Sequence, residues 1–133
     1  MVVLDTSVIV KWFIEEKGSE RALLWLEKHI KKEEIILVPS LFFYEIANVL
    51  RYNKRLPTDE ILNLVEELFR LNLKIEEVTP ELIMRGVVLA REKNISIYDA
   101  IFVVLAKIYQ LSFYTADEKL YKKVKGLGFV KLL

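Results

Sequence analysis

Four acidic residues stand where a carboxylate is chemically conspicuous: Asp5, Glu45, Asp99 and Asp117. Asp5 directly follows the apolar run Val2-Val3-Leu4, and Asp117 comes two residues after the run Ser112–Thr115. Asp99 lies near the start of Ile97–Ala106, a segment apolar on almost every helical face and therefore expected to be buried. Glu45 shares a helical face with Leu41, Phe42 and Val49. An ionised carboxylate in such surroundings needs a cation, a metal or a raised pKa. Each acid also has a plainer reading. Asp5 and Asp117 suit helix N-caps, and Thr115 with Glu118 has capping-box spacing. Asp99 suits the first turn of a helix dipole, and Glu45 has Arg51 as an available partner. Taken together at one edge of a fold, the four favour a metal site. Oxygen-only ligation selects hard cations, Mg²⁺ or Mn²⁺, and the chemistry that fits is phosphodiester hydrolysis.

Composition removes several alternatives. The chain of 133 residues has no cysteine and a single histidine, which excludes disulfides and thiolate metal sites. His29, beside Lys28 and Lys31, reads as a solvated surface residue, and its solitude disfavours a ribonuclease built on a paired general acid and base. With 20 Lys+Arg against 19 Asp+Glu there is no global basic excess, so contacts to RNA must come from local clusters. Lys119, Lys122 and Lys123, on one face of the helix beside Asp117, are candidates for phosphate contact together with Lys11. The competing reading is a solvated helix face. No run approaches the roughly 18 apolar residues of a membrane span, and the N-terminus has no basic region or cleavage signal. A single cytoplasmic domain over residues 1–133 is expected.

The elements that must position these acids alternate between short β-rich runs and helical patterns. The spacing predicts strands at Val2–Leu4, Ile35–Val38, Lys74–Val78, Ser112–Thr115 and Phe129–Leu132. Between them, helices are predicted from Thr6 to Glu15, from a Ser19 cap to Ile30, and from a Ser40 cap to Tyr52. Further helices follow over Pro57–Leu71, after a Thr79-Pro80 start to Lys93, from Ser96 to Gln110, and from Asp117 to Lys125. Such alternation implies an α/β fold with a mainly parallel sheet covered on both faces. Ligands of such sheets bind beyond the carboxyl ends of the strands, where all four acids are expected to project.

The ordered set Val3-Leu4-Asp5-Thr6-Ser7, Glu45 after Val38-Pro39-Ser40, Tyr98-Asp99-Ala100 and Thr115-Ala116-Asp117-Glu118-Lys119-Leu120 resembles the PIN domain. More narrowly, it is similar to the VapC-type toxins of toxin–antitoxin pairs. The resemblance covers essentially the whole chain. It implies a three-layer α/β/α fold and Mg²⁺- or Mn²⁺-dependent endoribonuclease activity on RNA. It also implies homodimerisation and inhibition by a small VapB-type antitoxin. The family's acidic quartet carries over to Asp5, Glu45, Asp99 and Asp117, while Ser7 and Thr115 match positions that support the site through hydroxyl hydrogen bonds. Rival readings are a PIN nuclease of RNA processing and a non-catalytic metal-binding module for RNA or protein. A phosphatase with Asp5 as nucleophile is disfavoured because Ser7 stands where a second acid would follow.

Overall fold

The computed structural model describes residues 1–133. Five short strands, β1 (Val2–Leu4), β2 (Ile36–Pro39), β3 (Lys74–Glu76), β4 (Phe113–Thr115) and β5 (Val130–Leu132), form one sheet. Their order is β3-β2-β1-β4-β5, and every neighbouring pair is parallel. The helices are α1 (Thr6–Ile9), α2 (Ser19–Ile30), α3 (Phe42–Arg51), α4 (Thr58–Arg70), α5 (Pro80–Lys93), α6 (Ile97–Ile108) and α7 (Glu118–Val124). All of β1 and β2 is buried, as a strand covered on both faces must be. Neighbouring residues of β4 reveal the two outer layers: Phe113 stacks with Phe102 of α6, whereas Tyr114 packs on Trp25 of α2 at 4.8 Å between ring centroids. The α/β/α layering follows from that alternation.

The chain enters at the middle of the sheet, walks outward from β1 to β2 and β3, then returns to the other side of β1 for β4 and β5. Connections leaving the carboxyl ends of β1 and β4 therefore diverge, and a crevice opens between them. Leu4 pairs with Tyr114, so Asp5 and Thr115 emerge side by side at its floor. Opposite them, α6 is pinned by a close approach of α5. A Cβ on Gly86 would lie 2.7 Å from Ile101 Cδ1 and 2.9 Å from Ile97 Cδ1, the two isoleucines that bracket Asp99.

Several local expectations differ from what is found. The first helix ends at Ile9 and tightens into a 3₁₀ turn at Val10–Trp12 instead of running to Glu15. Trp12 Nε1 is drawn to the carbonyl of Ala22, and the chain reverses through Gly18 at φ 89° to begin α2. Ser19 does not cap α2. Its hydroxyl accepts from the Glu16 N–H and donates to the Ile14 carbonyl, closing that reversal. Nor does Ser40 cap α3: the N-cap position is Leu41 and no side chain bonds there, while the Ser40 N–H donates to the Glu76 carbonyl. His29 is half-buried rather than solvated: Nε2 donates to the Leu71 carbonyl at 2.8 Å, and Nδ1 accepts from the Ile36 N–H. The ring thus links α2 to two other segments. No helix is long and apolar enough to cross a membrane.

Candidate active site

Asp5 is the deepest of the four acids, with 6% of its surface exposed. Its carboxylate caps α1 by accepting from the Val8 N–H, and it accepts the Ser7 hydroxyl on the same oxygen. The fully buried Thr115, whose hydroxyl lies 3.3 Å from that of Ser7, also favours the ionised form. Burial nevertheless dominates and pushes the Asp5 carboxyl up to about 7, with the charge of Asp99 raising it further. Ser7 also stitches the two strand ends together, its hydroxyl lying beside that of Thr115. The Ala116 N–H donates to the Ser7 hydroxyl at 2.8 Å, and the Asp117 N–H donates to the Thr115 hydroxyl at 3.0 Å. Thr115 is thus committed to its own turn, and Asp117 is the residue that caps α7, accepting from the Leu120 N–H.

Glu45 reaches the same crevice from α3 and is half-buried. Its Oε1 accepts from the Thr6 hydroxyl at 2.8 Å, and Arg51 stacks instead on Tyr52. Thr6 is the site residue that sequence reasoning missed. Its signal was its place between Asp5 and Ser7, in a run whose three side chains all serve the crevice. Asp99 stands in the first turn of α6, whose N-cap Ser96 accepts from the Asp99 N–H. Burial raises the pKa of both Glu45 and Asp99; Thr6 opposes the rise in Glu45, while Ser96 and Lys123 oppose it in Asp99.

Asp99 is the hub of the group. Its charge raises the pKa of Asp5 and of Glu45, and the charge of Asp117 raises its own. None of the four acids has a basic partner in a salt bridge. They are gathered but unpaired. No three of them close into a ready-made chelate, so an ion would have to draw the carboxylates inward against their mutual repulsion. The donor set fits a hard divalent cation nonetheless: it is all oxygen, and the buried Asp5 carboxylate lacks a cation that only an ion or a proton can replace.

The lysines separate into distinct environments. Lys11 is engaged, its ammonium held by Glu16 at 2.9 Å and by the Lys17 carbonyl at 2.8 Å. Lys119 and Lys123 line a cleft of about 160 Å³ together with Asp99 and Asp117. Lys122 lies on the same helix, and all three of these lysines are exposed.

Residues 2–126 match the family model described as PIN domain. Ribonuclease VapC3 of Pyrobaculum aerophilum is 30% identical over 131 residues, covering 95% of this chain and 96% of that protein. Among solved structures, a toxin–antitoxin complex from Klebsiella pneumoniae superposes with a TM-score of 0.72 at 15% identity, over 98% of this chain and 96% of that one. VapC20 of Mycobacterium tuberculosis, a toxin that cleaves the sarcin–ricin loop, gives 0.71 at 17% identity, over 98% and 97%. These two likenesses speak to the fold alone.

Proposed function

The chain belongs to the PIN-domain family, and from that premise we propose that it is a VapC-type endoribonuclease, the toxin of a toxin–antitoxin pair. The observation that carries the proposal is the gathering of four acids without basic partners at the diverging ends of β1 and β4. Asp5, Glu45, Asp99 and Asp117 would hold Mg²⁺ or Mn²⁺. When bound, the metal supplies a water of lowered pKa and Lewis-acid stabilisation of the phosphate. The chain's own side chains prepare that event. Thr6 fixes the Glu45 carboxylate, Ser7 fixes that of Asp5, and both Ser7 and Thr115 favour its ionised form. Lys119 at the cleft and the exposed Lys122 on the same helix would supply contacts for RNA phosphates.

In this reading the protein works in the cytoplasm as a homodimer and is silenced by a VapB-type antitoxin. An antitoxin arginine fits a crevice of unpaired carboxylates, because its guanidinium forms bidentate hydrogen bonds to such groups. The deciding experiment is cleavage of RNA by the purified protein, with end-mapping of the fragments, in Mg²⁺, Mn²⁺ and EDTA. Asp99→Asn is nearly isosteric and removes one charge from the hub, so cleavage should fall at least about 100-fold while the fold persists. Wild-type activity in Asp99→Asn at subsaturating Mg²⁺ would overturn the assignment.

A further inference from the structure

Lys123 differs from the other lysines of α7. Its Nζ donates to the Asn94 carbonyl at 2.7 Å, tying α7 to the turn between α5 and α6. Asn94 ends α5 in the left-handed conformation at φ 52°, a conformation that asparagine tolerates better than most residues. The ammonium is therefore anchored on the edge of the cleft that it shares with Asp99 and Asp117. Its charge acts on Asp99, yet the two groups form no salt bridge. A gap remains between this ammonium and the two carboxylates that line the same cleft. Only one of the three ammonium protons is used by Asn94, so two donors stay available.

Resting on the nuclease reading, we propose that Lys123 is a fixed cation of the active site that contacts a nonbridging oxygen of the scissile phosphate across this cleft. Lys123 is an exposed side chain, and its bond to the Asn94 carbonyl restrains it and so lowers the entropy lost on contact. It also has an opposite effect on the two ligands of the site. A positive charge beside the carboxylates weakens the binding of a divalent cation, while the same charge strengthens the binding of phosphate. A lysine serving only to staple α7 to the α5–α6 turn would influence both in the same direction, through the position of Asp99.

The test compares full-length wild type, Lys123→Met and Lys123→Arg. Mg²⁺ affinity is measured by calorimetry without RNA, and cleavage is measured on labelled mixed-sequence RNA at saturating Mg²⁺. Lys123→Met should bind Mg²⁺ roughly 2- to 10-fold more tightly and cleave at least about 10-fold more slowly. Lys123→Arg should recover cleavage to within about 3-fold, since it restores the charge. Melting curves of the variants report whether the fold persists. An inactive wild type overturns the nuclease reading itself. An active wild type with an equally active Lys123→Met overturns this inference alone, as does a Lys123→Met variant whose Mg²⁺ affinity and cleavage fall together.

Discussion

At the scale of single residues, structural and chemical roles coincide in the same side chains. Asp5 and Asp117 are helix caps, and they are also two of the four unpaired acids, so the plainer reading of each was true without excluding the other. Spacing alone could place them at strand ends; it could not reveal that Thr6 holds Glu45 or that His29 is a half-buried link, because both contacts join segments distant in sequence. The two roles of Asp5 separate by pH. Burial holds its folded-state pKa at about 7, above the 3.8 of a free aspartate carboxyl. Between these values the folded chain keeps a proton that the unfolded chain has released, so stability is greatest at low pH and is lost as pH rises through 7. The loss in metal-free buffer is at most about 4 kcal/mol for a rise from 3.8 to about 7. Asn at position 5 still caps α1, so Asp5→Asn removes the titration and retains the cap. In EDTA, wild type should therefore lose stability relative to Asp5→Asn between pH 5 and pH 8, measured by urea denaturation, and saturating Mg²⁺ should reverse the order at pH 8. A difference that stays flat across this range would show that burial of the Asp5 charge does not govern stability.

At the scale of elements, the strands and most helices were legible because their apolar periodicity and boundary signals agree. Thr79-Pro80 opens α5 and Ser96 opens α6, each with the cap bond its sequence suggests. Ser19 and Ser40 had the same outward signal but cap neither helix: the Ser19 hydroxyl closes the preceding reversal instead, and α3 starts from Leu41 with no side-chain cap bond. The register of α6, which sets Asp99, depends on a contact no periodicity announces: Gly86 lets α5 settle onto Ile97 and Ile101. An alanine there meets only the mobile tips of these two side chains, and its better helix propensity offsets part of the crowding, so Gly86→Ala should stay within about 1 kcal/mol of wild type. Gly86→Val adds two further methyl groups that the seam cannot accommodate. It should cost roughly 1–3 kcal/mol and reduce RNA cleavage by displacing Asp99. Urea melts and cleavage rates of both variants check this; a Val variant as stable and active as wild type would mean that the α5–α6 seam does not set the position of Asp99.

At the scale of the whole molecule, the topology explains why acids scattered over more than one hundred positions of sequence meet: the sheet begins at its centre, and the strands ending at Leu4 and Thr115 are neighbours that lead to diverging connections. What the chain leaves uncovered is equally informative. On α5, Ile83, Met84, Val87 and Val88 are 39%, 63%, 48% and 57% exposed, and their spacing keeps Met84, Val87 and Val88 on one side of the helix. Beside them an apolar cleft lies between α5 and α6, lined by Leu89, Val103 and Val104 and edged by Arg85, Glu92 and Lys107. A contiguous apolar surface with a charged rim is what a protein interface exposes when its partner is removed. In a twofold dimer each residue of this face meets the matching face of the second copy, so one substitution acts twice. Lysine at position 88 would bring two ammonium groups into the apolar contact, at a desolvation cost of several kcal/mol that Glu92, one turn on at the rim, offsets only in part. Sedimentation velocity should therefore show a dimer for wild type and a monomer for Val88→Lys at the same concentration, with the circular dichroism of the fold retained. A wild type that stays monomeric, or Val88→Lys and Met84→Lys variants that both stay dimeric, would remove α5 from the interface.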